Sequence, residues 1–557
     1  MKAIVVLLVL HLSHQQLRAQ TDDGEVSVQI PKSEDGLVID LITKSKPDYV
    51  KSALDLGGDL DASVPVSGMA PANGTNFLLD GQFVGSPTKP IHPTNVFSLK
   101  LESARKFALL HQLDIRAELI PPKIAEEQVR EARARFQSVV SGNLALEEES
   151  PVSPAPETDS ASGSLGLRRV FGTGASADLS LRASRREIRP LPLGVPPRFY
   201  SVDPTLTLSQ PLLRGAGLRI NHATINRSRL LKRQTTARSR LLINNLIANV
   251  DRGYWRLWSA EQELRVRHEQ YKIASKQLTN ASKLVKAGIV PKLEITRSLV
   301  GLSQRVNTII AAETSRKILD RELKRIMNLK HLPLTSQSVI VLQSDPTLFP
   351  LELDRFELTT AALKNRMDLL ESQLQVAIEL MDKDVARNQL LPDVSLGFNY
   401  TSGALNEQFG GAFRELDNPD SSSWQVGLTF SYPLGNDAAK ARHRQAALRH
   451  ALSLNSLERR RLVIQQGVHD AIDRLIQSWQ QIQAAIRETV LAQQIYQGEL
   501  KQFESGFRTS TEVLDAAQSM AHAQVRHVRA ISEFEISKVE LAYATGAQLG
   551  YAEVKLN

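Results

Sequence analysis

Near its C-terminus the chain carries ESGFRTSTEVLDA, Glu504 to Ala516. Here Glu512 and Asp515 stand three apart behind a glycine, an arginine and a run of hydroxyls. Paired carboxylates can serve as general acid and base, hold a cation, or charge an aperture. A phosphate cradle is excluded by residue type. It wants several glycines and a lysine at the helix start, and this stretch has one glycine, Gly506, and no lysine. A plain helix start explains the same residues, since acids behind an N-cap, read as Thr511, suit the helix dipole. Histidine brings no enzyme closer. None of the twelve forms a His-x-x-x-His pair, and His522 and His527 are five apart. With no cysteine in the chain, disulfides, thiolate metal sites and a cysteine nucleophile are excluded. No catalytic set, metal or cofactor is expected.

The elements that must position this cluster are mostly long helices. Only 5% of the 557 residues are aromatic, a composition that suits helices better than a conventional enzyme core. The net charge of +8 is mild for this length, and runs such as LERRRL (Leu457 to Leu462) read as solvated helix faces. Nucleic acid is not an expected partner. The opening MKAIVVLLVLHLSHQQLRAQ has the charged start, short apolar core and small-residue end of a secretory signal. Its apolar core is too short to span a bilayer, and no longer apolar run follows. An exported chain of this kind enters a membrane only with strands.

Past a Pro- and Gly-rich leader, the order of elements repeats. Each half reads as short helix, β-hairpin, very long helix, turn, helix. LTLSQPL (Leu206 to Leu212) matches LTFSYPL (Leu428 to Leu434) at five of seven positions. AGIVPKLEI matches SGFRTSTEV at Gly288/Gly506 and Glu294/Glu512. The helices predicted over Ala216 to Ala287 and Asn436 to Ser505 are each about 105 Å long at 1.5 Å per residue. In the second, Ile464, Val468, Ala471, Leu475, Trp479, Ile482, Ile486 and Val490 step by three or four, a seam for neighbouring helices. Pro121 and Pro122 are expected to kink or split the first helical segment.

In SWQVGLTFSY, Trp424, Val426, Leu428, Phe430 and Tyr432 share one face, while Gln425, Gly427, Thr429 and Ser431 share the other. DVSLGFNYT alternates likewise. This is the pattern of a transmembrane β-strand, though a soluble sandwich strand with one wet face has the same period. Too few strands are present for one chain to close a barrel, so several chains must each give a sector. The stretch EEESPVSPAPETDSASGS reads as a solvent-exposed loop. GLRRVFGTGASADLSLRAS can form a further hairpin turning at Gly172 to Gly174, which leaves the strand number of the first repeat open.

These features resemble the outer membrane efflux proteins, the TolC-like channels, over roughly Phe97 to Ala547. ALLHQLDI and ALKNRMDLL resemble the family's signal at the head of each repeat. LTLSQPLLRGAG is similar to its strand-to-helix hinge, and GFRTSTEVLDA to its most recognisable motif. The resemblance implies a mainly α fold with a membrane β-barrel sector. Three copies would form a twelve-stranded barrel on a long α-helical periplasmic tunnel. It implies a passive exit duct of a tripartite efflux pump or type I secretion system, working with a periplasmic adaptor and an inner-membrane pump. The barrel would face outer membrane lipid. A soluble periplasmic coiled-coil adaptor or scaffold is the alternative, but it has no use for aromatic-flanked alternating strands.

By the same resemblance, Glu512 and Asp515 form an acidic ring at the periplasmic aperture, and Arg508, Glu294 and Phe503 form its clasp. Phe503 stands where the family commonly has tyrosine, so that hydroxyl is missing and the clasp rests on Arg508 and acids. The implied role of Arg508 is to brace the closed tip against Glu294 or a nearby backbone carbonyl. Gly288 and Gly506 make the helix-hairpin turns, and Pro211, Pro392 and Pro433 the strand–helix hinges. The expected domains are a signal peptide (1–20), a partly disordered leader (21–96) and a first repeat (97–328). That repeat holds a β-hairpin at about 136–211 with an extracellular insert over 147–200. A linker (329–350), a second repeat (351–547, hairpin about 392–433) and a tail (548–557) complete the chain.

Overall fold

The computed structural model describes residues 96–149, 157–189, 198–336, 338–416 and 422–551. The expected signal peptide, the leader up to residue 95 and the tail beyond 551 lie outside the described residues. The described chain enters through strand β1 (Val96–Leu99), then helices α1 (Leu101–His111), α2 (Leu113–Glu118) and α3 (Ile120–Ala134). Pro121 and Pro122 fall in the first turn of α3, where a missing N–H costs nothing, so they start a helix and thereby split the segment.

Four strands follow: β2 (Val139–Glu149), β3 (Glu157–Val170), β4 (Ser176–Arg189) and β5 (Arg198–Pro211). Then come the 64-residue helix α4 (Ala223–Lys286) and its return helix α5 (Leu293–Met327). Strand β6 (Val339–Leu342) leads to α6 (Arg355–Asn365) and α7 (Met367–Asn388). The second sheet segment is β7 (Asp393–Ser402), β8 (Ala404–Asn406) and β9 (Ser422–Ser431). The 68-residue helix α8 (Asp437–Glu504) and its return α9 (Ser510–Ala544) end the repeat. At 1.5 Å per residue α4 and α8 are about 96 and 102 Å long. Among the described residues no helix is long and apolar enough to cross a membrane.

Two cores hold the helices. One is a waist in which Leu99, Tyr254, Trp255, Leu323, Met327 and Ile340 are buried together. There β1 pairs in parallel with β6. The Tyr254 hydroxyl donates to the Leu99 carbonyl (3.2 Å) and accepts the Ser344 N–H (2.9 Å). The other core runs along α8, where Ile464, Val468, Ala471, Leu475 and Ile482 are buried against α9, α6 and α7. Trp479 is half-buried against Phe534. Ile486 and Val490, expected to continue that seam, are exposed in the single chain.

The main sheet runs β2-β3-β4-β5-β7-β9, all antiparallel, with β8 pairing β5 off that path. Its register sorts side chains into two faces, because the period of a strand is two. Trp424, Tyr400, Leu206, Leu179, Leu167 and Val140 lie in one cross-strand row. The neighbouring row on the other face holds Gln425, Asn399, Thr207, Asp178 and Arg168, with Val139 at the β2 edge. Through these rows one face is apolar across six strands and the other is mainly polar, while charged residues such as Arg185, Glu187 and Asp159 enter the apolar face at its far end.

Three expectations need correction. The stretch 147–164, expected as a loop, is largely strand: β2 runs to Glu149 and β3 begins at Glu157, and the further hairpin turning at Gly172 to Gly174 forms as β3 and β4. The main sheet offers six long strands per chain, where a twelve-stranded barrel of three chains would use four each. The linker 329–350 contains β6, whose VIVL pairs with VFSL of β1 at the edge of the expected leader. The tail begins inside the fold, since Gln548 is fully buried and donates to Asp251 at 3.1 Å.

Candidate functional site: the paired helix-hairpin tips

Far along the long helices from the sheet, α4 and α8 each end in the same turn. Gly288 (φ +75°) and Gly506 (φ +81°) take the left-handed conformation that side chains rarely adopt. After α4, the Ile289 N–H reaches the Leu284 carbonyl (2.9 Å) and the Gly288 N–H reaches Val285 (3.0 Å). After α8, Phe507 bonds Gln502 (2.9 Å) and Gly506 bonds Phe503 (2.9 Å). Both are Schellman closures, so the two expected turns are the same device.

The acids of the cluster have separate employments. Thr509, not Thr511, is the N-cap of α9. Its hydroxyl takes the Glu512 N–H at 3.5 Å, and the Glu512 carboxylate takes the Thr509 N–H at 2.7 Å. The Thr509 N–H and hydroxyl together with the Arg508 guanidinium hold the Glu512 carboxyl below its ordinary value. Asp515, one turn further, is exposed.

Arg508 does not meet Glu294 within the chain. Its guanidinium bonds Gln502 (2.8 Å) and Glu512 (2.9 Å) and pairs with Glu499 (3.2 Å), so it ties the end of α8 to the start of α9. Glu294 sits at the start of α5 and is buried. It accepts the N–H of fully buried Ser510 at 2.8 Å and pairs with Arg297 at 2.6 Å. A carboxylate from the first repeat thus serves an orphan N–H at the start of the last helix in the second. Phe503 is wholly buried with Ala281 and Val513, where it anchors one hairpin to the other by packing.

Sequence reasoning missed several of these partners. Arg297 and Ser510 complete the Glu294 cap, and the buried Arg305 donates to the Leu514 carbonyl at 3.1 Å. A Cβ at Gly301 would lie 2.5 Å from the Leu514 side chain, so α5 and α9 approach closely there. A lone glycine inside a helical pattern was the available signal, because it costs stability unless packing needs it.

At the sheet end the prolines mark where pairing stops. Pro211 is the last residue of β5, and the Pro392 carbonyl accepts the Arg214 N–H at 3.2 Å just before β7. Pro433 follows β9, and Gly435 and Asn436 then turn left-handed into α8. Arg214 and Asp393 pair across the first hinge at 2.5 Å.

Residues 358–547 match the outer membrane efflux protein family. Outer membrane protein TolC of Escherichia coli K12 is 22% identical over 314 residues, covering 54% of this chain and 61% of that protein. The chain thus spans about three fifths of the length of this curated relative. The Campylobacter jejuni CmeC outer membrane channel aligns over 80% of this chain and 86% of its own, with TM-score 0.59 and 15% identity. The outer membrane protein VceC of Vibrio cholerae aligns over 80% and 96%, with TM-score 0.59 and 14% identity. The second half of the chain thus matches the outer membrane efflux protein family, and the fold is TolC-like.

Proposed function

We propose that this chain is the subunit of an outer membrane exit duct, passively passing substrates of an efflux pump or type I secretion system. Three copies stand side by side, their sheets facing outer membrane lipid and their long helices lining a passage through the periplasm. A periplasmic adaptor and an inner-membrane pump supply the partners and the energy; the duct performs no catalysis. The single observation that supports this most is the sheet. Its apolar face crosses six strands, its opposite face is mainly polar, and it stands at one end of helices about 100 Å long. A soluble adaptor built of helical hairpins would leave that apolar face in water.

In this reading the paired tips are the periplasmic aperture. Three-fold symmetry gathers Glu512 and Asp515 of each copy into a cation-attracting ring. Arg508 and Glu294 steady the hairpins, and Phe503 pins them. Cell fractionation tests the reading directly. The chain is expected in detergent-extracted outer membrane as a trimer that conducts ions in planar bilayers; recovery as a soluble periplasmic monomer would overturn it.

A further inference from the structure

Among the described residues, strands β3 and β4 of the first repeat have no counterpart in the second, and no helix adjoins either. From their register we infer that they are staves of the barrel wall itself. Each copy then contributes six strands, and three copies, on the duct reading on which this rests, close an eighteen-stranded barrel. Closure pairs β2 of one copy with β9 of the next.

The first support is continuity. β4 pairs with β5 from Ser176–Ser209 to Glu187–Arg198, and β2 pairs with β3 along its whole length. A flap or plug would not keep a full ladder on both sides. The second is the shared face. Leu167 of β3 and Leu179 of β4 fall in line with Leu206 of β5, Leu165 and Leu181 form the next row of the same face, and all are exposed or part-exposed. Their neighbours Ser164, Ser180 and Ser184 lie with Ser201 and Thr205 on the polar face, where Ser184 and Ser201 share a hydrogen bond of 2.8 Å. The additional hairpin therefore continues both the lipid-suited and the water-suited surfaces.

The third support is how the turn is seated. It lies against the hinge at the helix end of the sheet, where the Gly217 N–H donates to the Thr173 carbonyl at 2.9 Å. A Cβ at Gly172 would lie 2.5 Å from the His222 ring, and one at Gly174 (φ +93°) 2.5 Å from the Gly215 carbonyl oxygen. A turn this closely fitted is part of the wall's footing. The fourth is parity. Adding two strands keeps the number even, so the edge strands β2 and β9 remain antiparallel to each other. Every residue of both edges is exposed in the single chain. Open edges are not tolerated in lipid, and the same head-to-tail pairing repeated between copies removes them.

A barrel's diameter grows roughly linearly with strand number, so eighteen strands make a wall roughly one and a half times as wide as twelve. Among the described residues the long helices and the helices before the sheet join it through β2, β5, β7 and β9, so the mouth is wider than the helical neck beneath it.

The cysteine-free chain makes the test clean. Single-cysteine variants Ser164→Cys and Ser180→Cys on the polar face, and Leu165→Cys and Leu181→Cys on the apolar face, are exposed to a membrane-impermeant maleimide in isolated outer membranes. Thr429→Cys and Leu428→Cys on β9 are the controls. Labelling of the serine positions and protection of the leucine positions is expected. If the controls alternate but both faces of β3 and β4 react, the hairpin stands outside the wall and the inference fails while the duct reading survives. If the controls do not alternate, the duct reading itself fails. Double variants carrying Asn143→Cys with Gln425→Cys, Gly427→Cys or Thr429→Cys are then oxidised. Covalent dimers and trimers from at least one pair are expected, and monomers from all three would refute edge-to-edge closure.

Discussion

Glu294 and Glu512 occupy matching places in the two repeats, yet one is buried as a cap for another helix and the other caps its own. Removing the buried acceptor leaves the Ser510 N–H without a partner, which costs about 1–3 kcal/mol. Glu294→Ala is therefore expected to speed amide exchange at Ser510 to Val513 markedly. Glu294→Gln, which can still accept, should do so much less. Glu512 is half-exposed, and its depressed carboxyl stabilises the first turn of α9 above its ordinary value of 4.5, an effect lost as pH falls through the depressed value. Wild-type protection of that turn, corrected for intrinsic rates, should decline as pH drops below that range; in Glu512→Gln it should be lower at neutral pH and flat. If the tips ring an aperture as proposed, its charge rests more on Asp515, because Glu512 is paired with Arg508. Asp515→Ala is expected to weaken block of single-channel current by multivalent cations more than Glu512→Ala; the reverse order would place the ring at Glu512. The pairing of these two acids was legible as spacing, but their division of labour was not. It depends on Arg508 folding back over the turn and on a helix more than two hundred residues away.

The long helices and their turns were plain in the chain because three-and-four spacing over sixty-odd residues admits few other structures. Gly506 and Gly288 were equally plain. Replacing Gly506 by valine forces a β-branched residue into the left-handed region, at a cost of about 1–2 kcal/mol. The tip of Gly506→Val is expected to be cut by protease faster than wild type while the waist stays resistant. β3 and β4 were harder to read. Their serines and glycines resemble a low-complexity loop until the leucines between them are set against those of β5, and that register is a property of the pairing rather than of either segment. β1 and β6 are four residues each, too short to announce a strand without knowing their partner. The run Thr509, Ser510, Thr511 offers three hydroxyls that could cap, and only the helix start at Ser510 selects Thr509 over the Thr511 that the sequence suggests.

At the scale of the whole molecule, Val300, Ile310 and Ile318 on α5 and Val490, Leu491 and Ile495 on α8 leave apolar stripes open in one chain. A trimer gives such stripes a neighbour. Ile310→Glu and Val490→Glu are each expected to reduce the trimer recovered after chemical cross-linking in membranes, without removing the chain from the outer membrane. The waist has a mechanical consequence for such an assembly. Tyr254 fixes α4 to both β1 and the segment after β6, whereas the turn at Gly288 lies about 51 Å further along the helix at 1.5 Å per residue. A rigid arm of that length pivoting by about ten degrees at its fulcrum carries its end roughly 9 Å, more than enough to unseat Phe503 and separate hydrogen-bonded groups. A small twist at the waist is thereby geared into a large excursion at the tip.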